Sequence, residues 1–259
     1  MDLLVENMKK IVKECGAMIL SKDESSVEVS YKEGICNVVT SYDIKIQTYL
    51  KDNLLELVPS ATFVGEEEDC SQDILEHGYT FIVDPIDGTT NFLRNIPLSA
   101  VSVALLKDGD PYIAICYYPY RDEMFWAKKG SGAYLNGKRI SVSSKKLQDG
   151  LFLSGNSPYY SNLRSKTLEL QQKFILASGD YRRFGSAVLE LCLIACGRAE
   201  VYAELKLQPW DYAAASLIVL EAGGVVSTLE GDKVSFTSPS SILASNGQEN
   251  YLNLILNEK

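Results

Sequence analysis

The chain has 259 residues, 46% of them hydrophobic and 23% charged, and a formal net charge of −9. Its length suffices to bury about three quarters of the unfolded surface and to hold a sizeable cavity, whereas its acidic balance argues against nucleic acid or an anionic membrane as partner, since both need a basic face. With His77 the only histidine, His-rich metal sites are excluded and a Ser-His-Asp triad could be built on that residue alone, so carboxylates are left to carry the chemistry.

No apolar run approaches the ~20 residues of a membrane span. The opening M-D-L-L-V-E-N-M-K-K interleaves acids and bases instead of setting a basic segment before an apolar one, so a cytoplasmic location is expected. The six cysteines, at 15, 36, 70, 116, 192 and 196, form no C-x-x-C pair and are expected to be reduced and mostly buried. Cys192 and Cys196, one helical turn apart, read as part of a core stripe and not as a ligand pair.

Residues 2–21 place Leu3, Leu4, Met8, Ile11, Val12, Cys15, Met18 and Ile19 at helical spacing. Segment 25–31 alternates like a half-buried strand and 37–40 reads as a second, which suggests a hairpin near a site entrance. A second helix runs from Ser41 to about Leu57 and is closed by Pro59. Asp43 falls in its first turn, where an acid is ordinarily a cap or a dipole partner. A strand at 61–64 runs into Gly65-Glu66-Glu67-Glu68-Asp69, an acidic stretch that would usually be a solvated loop. After the polar connection His77-Gly78 come a central strand at 79–84 and strands at 100–106, 112–118 and 123–127, with hairpin turns at 107–111 and Asn136-Gly137. The polar stretch around 141–150 marks a soft boundary between halves 1–145 and 146–259, which together form one structural unit. In the second half a strand at 151–154 is followed by helices at 162–176, 186–196 and 211–222. These alternate with short strands at 180–183, 199–203, 225–228 and 241–244 before a closing helix from about 247.

V-D-P-I-D-G-T-T-N-F at 83–92 is the stretch around which the rest is arranged. Pro85 removes a backbone donor and holds Asp84 extended, while Gly88 permits positive φ, so Asp84 and Asp87 should project at the end of a strand. Two acids forced together raise one another's pKa unless a cation sits between them, and a hard divalent ion is the usual answer. Thr89, Thr90 and Asn91 add hydroxyl and amide groups suited to a metal and a phosphate. Asp-Pro and Asp-Gly are also ordinary turn chemistry, but Gly65-Glu66-Glu67 and Trp210-Asp211 likewise follow apolar or extended runs. Three such stretches are hard to explain as turns.

G-E-E at 65–67, D-P-I-D-G-T-T-N-F at 84–92, W-D-Y-A-A-A-S at 210–216 and E-A-G-G at 221–224 resemble, in order and separation, the motifs of the inositol monophosphatase family of magnesium-dependent, lithium-sensitive phosphatases. The resemblance runs over nearly the whole chain. It implies an α+β fold with an α/β second half, layered as an αβαβα sandwich, and hydrolysis of myo-inositol monophosphate or a similar small sugar phosphate. It implies two or three Mg²⁺ ions, a homodimer, and neither a nucleic-acid nor a membrane partner. By the motif match, Glu66, Asp84 and the carbonyl of Ile86 hold one ion, while Asp84, Asp87 and Asp211 hold another. The pattern V-T-x-x-D at 39–43 makes Asp43 the partner of Thr89 in activating water, with Glu66 also counted among the catalytic residues. Asp87, Gly88, Thr89 and Asp211 border the phosphate. Gly185, Ser186, Ala187 and Glu204 match the family's sugar-hydroxyl contacts. For Glu204 the alternative is a solvated carboxylate paired with Lys206. Relatives also handle fructose 1,6-bisphosphate, NADP and nucleotide bisphosphates, and some engage transcription machinery, so those substrates and a regulatory binding role are the alternatives.

Overall fold

The computed structural model describes residues 2–31, 38–67, 77–157 and 160–256. Helix α1 (Leu3–Leu20) opens the chain, capped by the Asp2 carboxylate on Leu4 N–H. Strands β1 (Val29–Tyr31) and β2 (Val38–Thr40) form a two-stranded ribbon. Helix α2 (Ser41–Leu57) follows. A seven-stranded sheet then runs, in spatial and chain order alike, through β3 (Thr62–Gly65), β4 (Tyr79–Asp87), β5 (Ala100–Lys107), β6 (Asp110–Tyr118), β7 (Glu123–Lys128), β8 (Ala133–Leu135) and β9 (Lys138–Ile140). The short helix α3 (Thr89–Leu93) interrupts it after β4. Only β3 and β4 are parallel; the rest is an antiparallel meander.

The remaining elements are β10 (Leu151–Ser154), α4 (Arg164–Ala177), β11 (Asp180–Arg182), α5 (Ala187–Ala195), β12 (Val201–Leu207), α6 (Pro209–Glu221), β13 (Val225–Ser227), β14 (Ser240–Ser245) and α7 (Leu252–Leu256). Their strands form a five-stranded sheet in the order β11-β10-β12-β14-β13. The expected division at 145/146 falls between the last strand of the first sheet and the first strand of the second.

Strand alternation explains the layers. Phe81, Val83, Val101, Val103, Leu105, Ile113 and Ile115 project from one face of the seven-stranded sheet onto Val5, Met8, Val12, Ile46, Leu50 and Leu54 of α1 and α2. The opposite face carries smaller residues, Ala104, Ala114 and Cys116, which let α5 and α6 approach closely through residues such as Val188 and Ala213–Ala215. Tyr202, Ile242 and Ala244 of the second sheet cover the far side of those two helices. The last face, with Phe152, Val201, Ala203 and Leu243, packs on Leu170 and Phe174 of α4 and Tyr251. The result is an αβαβα sandwich, and no helix among the described residues is long and apolar enough to cross a membrane.

Several elements differ from expectation: the strand expected over 199–203 runs from Val201 to Leu207 and takes in Glu204, and the closing helix expected from about 247 begins at Leu252. The strand expected over 25–31 is confined to 29–31, because the Asp23 carboxylate accepts from Ser25 N–H and winds Glu24–Ser26 into a 3₁₀ turn. What remains is exposed along its whole length and not half-buried. The strand expected to end at Asp84 continues to Asp87. Cys15, Cys116 and Cys192 are buried and Cys196 partly so, while Cys36, Cys70, Glu68 and Asp69 lie outside the described residues.

Candidate active site

Asp84 and Asp87 are three residues apart on β4, where simple alternation would send them to opposite faces. Asp84 pairs with Ser102 and Asp87 with Ala100, so three steps along β4 match two along β5. The extra residue is a bulge at Pro85-Ile86, a position where proline's missing N–H breaks no ladder bond, and it returns Asp87 to the side of Asp84. Asp211 arrives from the first turn of α6, whose entry Pro209 fixes. One oxygen from each of the three aspartates lies within 4.8 Å of the other two.

Each of these carboxylates is oriented through one oxygen. Asp84 Oδ1 accepts from Ile86 N–H at 2.9 Å, and Asp211 Oδ2 accepts from Gln208 N–H at 2.8 Å. Asp87 Oδ2 accepts from the Ser186 hydroxyl and, at 2.8 Å, from Val188 N–H. Partners of this kind fix the orientation of carboxylates that converge on one point, as outer partners do for metal ligands.

Burial and mutual repulsion work against the ionised forms of these acids. Burial first, then Glu66 and Asp87, push Asp84 far above the ordinary carboxylate range. Burial, Asp87 and Glu66 do the same to Asp211. Burial lifts Asp87 to about 6, against the opposing hydrogen bonds from Ser186 and Val188. Two ionised carboxylates about 5 Å apart repel by roughly 3–4 kcal/mol at the effective dielectric of protein sites. Among the described residues no lysine or arginine forms an ion pair with any of the three. An all-oxygen donor set of this kind fits a hard divalent cation.

Glu66 and Ile86 line the same cavity, although the Glu66 carboxylate is not one of the three converging groups. Gly88, with φ 91°, precedes α3. A Cβ there would lie 2.9 Å from the Leu98 carbonyl oxygen and 3.2 Å from that of Gly185, so only glycine allows this close approach. Thr89 Oγ1 is 3.1 Å from the Ile86 carbonyl oxygen and 3.4 Å from Asp43 Oδ1. Asp43 is buried and raised to about 6 by that burial. Its Oδ2 accepts from Thr40 N–H at 2.8 Å and Thr40 Oγ1 at 2.5 Å, completing a capping box on α2. The two readings of Asp43 are therefore compatible, since one oxygen caps the helix and the other faces Thr89.

Gly185, Ser186, Ala187 and Glu204 line the cavity. Ser186 gives its hydroxyl to Asp87, so its side chain acts on that carboxylate. The alternative of a solvated Glu204 paired with Lys206 is overturned. Glu204 is 5% exposed and accepts from Ser157 N–H at 2.6 Å and Tyr202 OH at 2.5 Å. A Cβ on Gly155 would collide with it at 1.7 Å. Lys206 instead lies 4.1 Å from the centroid of the Tyr160 ring.

Asn91, expected to serve metal or phosphate, is a cross-tie. Its Nδ2 donates to Leu98 O at 2.7 Å and Phe184 O at 2.8 Å, joining the motif helix to the loop before α5. Glu190 went unnoticed in the sequence. It lines the cavity, accepts from Phe184 N–H at 2.7 Å, and is raised to about 8 by burial. A lone acid within the apolar run A-V-L-E-L-C-L-I-A was the available signal.

A five-layer αβαβα sandwich with a carboxylate cleft where its two sheets and α6 meet is the class of protein these features define. The chain belongs to the inositol monophosphatase family, whose model it matches over residues 2–258. It is 36% identical over 265 residues to "Inositol monophosphatase" of Dictyostelium discoideum, covering 100% of this chain and 97% of that one. It is 35% identical over 229 residues to "Nus factor SuhB" of Escherichia coli K12, covering 86% and 84%. The solved structure of the extragenic suppressor protein suhB from Bartonella henselae superposes with a TM-score of 0.87 at 32% identity, over 95% of each chain.

Proposed function

We propose that this protein hydrolyses a small phosphomonoester, myo-inositol monophosphate or a similar sugar phosphate, with Mg²⁺ as cofactor. The observation that carries this reading is the convergence of the Asp84, Asp87 and Asp211 oxygens in a cavity that also holds Thr89. Glu66, Asp84, the Ile86 carbonyl, Asp87 and Asp211 would hold the two or three ions. When bound, Mg²⁺ neutralises the acids and supplies Lewis-acid activation of water and of the phosphoryl group.

The chain's own residues do the rest. Thr89 has one hydroxyl proton and can direct it to Asp43 Oδ1 or to the Ile86 carbonyl. Directed to Asp43, it leaves a lone pair facing the attacking water, whose proton Thr89 can take up as its own passes to Asp43 Oδ1. The N–H groups of Gly88 and Thr89 have no acceptor within the first turn of α3, which suits them to phosphate oxygens. Gly185, Ala187 and Glu204 border the remaining space, where a sugar would lie.

The test is phosphate release from inositol, sugar and nucleotide phosphates by purified protein in Mg²⁺. Activity should stop with EDTA and be inhibited by Ca²⁺ and Li⁺; full turnover after exhaustive chelation would refute the reading. The name of the Escherichia coli relative supports a second reading, a regulatory binding protein of the same fold. Absence of phosphate release across the screen would favour it.

A further inference from the structure

Helix α5 carries a single charged residue, Glu190, in the run A-V-L-E-L-C-L-I-A, and that residue is 1% exposed. A carboxyl group withdrawn so far from water is costly unless a donor meets it. The donor is Phe184 N–H, 2.7 Å from Glu190 Oε1. This bond falls outside ordinary helix capping. Ser186 is the N-cap, so the residue that would reach back in a capping box is Leu189, whose side chain has no acceptor. Glu190, one place further on, reaches past the cap to an N–H two residues before it.

The segment it grips is tied by side chains. Between β11, which ends at Arg182, and the cap of α5, the described backbone hydrogen bonds are that of Phe184 N–H to Glu190 and those that the Phe184 and Gly185 carbonyls accept from Asn91 Nδ2, at 2.8 and 3.4 Å. Phe184 is thus held at its N–H by α5 and at its carbonyl by the motif helix α3. Directly beyond it, Ser186 Oγ accepts from Leu189 N–H at 3.3 Å and donates to Asp87 Oδ2, which also accepts from Val188 N–H at 2.8 Å. The same segment passes close to the end of β4, since the Gly185 carbonyl oxygen lies 3.2 Å from the place a Cβ on Gly88 would take. A displacement of Phe184 therefore reaches Asp87 through its donors.

We propose that Glu190 is a positioning residue for Asp87: through Phe184 N–H it fixes the Phe184–Val188 segment, and that segment presents Ser186 and Val188 to the carboxylate that converges with Asp84 and Asp211. Its consequence for metal binding rests on the phosphatase reading above, whereas the positioning of Asp87 does not. The role needs an acceptor and not a negative charge. Burial lifts Glu190 to about 8, so the neutral acid prevails below that pH, and its carbonyl oxygen still serves Phe184 N–H. Glutamine offers the same oxygen at the same reach, whereas methionine fills the space with only a weakly accepting sulfur.

The experiment titrates Mg²⁺ into EDTA-treated full-length protein, as wild type, E190Q and E190M, and takes the affinity from the rise in Tm. E190M should bind Mg²⁺ about tenfold or more less tightly, the usual effect of removing an outer partner of a metal ligand, and E190Q should stay within about threefold of the wild type. Equal affinity in all three overturns the proposal, and so does an E190Q as weak as E190M, which would assign the effect to charge. Amide exchange in the metal-free proteins gives a reading without the metal, because Val188 N–H, in the first turn of α5, has Asp87 as its acceptor. It should exchange about tenfold or more faster in E190M than in the wild type and E190Q, with the amides of α6 unchanged. Unchanged Val188 exchange, or faster exchange throughout the protein, overturns the positioning role. A second apolar variant, E190L, takes the place of E190M if that chain does not fold, and failure of both to fold would make Glu190 a residue of general stability and overturn the proposal. Should the wild type bind no Mg²⁺, the metal-dependent phosphatase reading fails on its own, and amide exchange alone decides the role of Glu190.

Discussion

Thr89 has a single proton and two acceptors within reach, one of them Asp43 Oδ1. If Thr89 and Asp43 act as one unit, Thr89→Ala and Asp43→Asn should each lower kcat by about 10²–10⁴-fold, the usual worth of a positioned base. The double variant should then be little worse than the worse single one. Multiplicative losses would show Asp43 to be only the cap of α2. Glu204 raises a different question, because its carboxylate is held by donors on both oxygens and yet borders the cavity. Glu204→Gln should reduce kcat/KM for inositol monophosphate by about 1–3 kcal/mol, the effect of disturbing a buried charged hydrogen bond. Hydrolysis of p-nitrophenyl phosphate, which has no sugar hydroxyl to read, should scarcely change. Equal losses on both substrates would place Glu204 in the catalytic machinery.

At the level of elements, the site depends on how β4 ends. The bulge at Pro85-Ile86 sets the side on which Asp87 emerges, and the positive φ of Gly88 turns the chain directly into α3. Asn91 then fastens α3 to the Phe184 segment, which brings Ser186 and Val188 onto Asp87. An alanine with positive φ costs about 1–2 kcal/mol from backbone strain alone, and at Gly88 its Cβ would also meet the Leu98 carbonyl at 2.9 Å. Gly109 is the control, with φ 79° and nothing within 4 Å of the place a methyl would take. Gly88→Ala should therefore destabilise the protein more than Gly109→Ala by about 1 kcal/mol or more, read from urea midpoints. Equal shifts would show that the close approach adds nothing.

For the whole molecule, the carboxylate cleft works against stability until it is filled. Asp43 and Asp87 reach about 6, and Asp84 and Asp211 are raised as well, while unfolded aspartates titrate near 4. Between those values the metal-free native state binds more protons than the unfolded chain. Its stability must therefore fall as pH rises through that window. Divalent ions bind the ionised form, so their stabilisation should grow over the same window. The Tm of EDTA-treated protein is expected to drop as pH rises from about 4 through about 6, and saturating Mg²⁺ should raise Tm more at the upper end. A gain independent of pH would count against metal binding by these acids.

The elements and the chemical character of the site were legible in the sequence because both are local. Helical spacing marked α1 and α2 to within a residue or so, and the motif stretches supplied Asp84, Asp87 and Asp211 with the need for a cation between them. The 25–31 segment misled because one Asp23 side chain redirected its backbone, a competition that alternation does not register. Tertiary structure alone decided that Asp84 and Asp87 share a face, since a bulge exists only as a mismatch against β5. It also decided that Glu204 is buried among Ser157 and Tyr202 and not paired with Lys206, and that Asn91 ties two halves of the chain together. Each of these is a contact between residues distant in sequence or a consequence of burial, and neither property is carried by residue type and spacing.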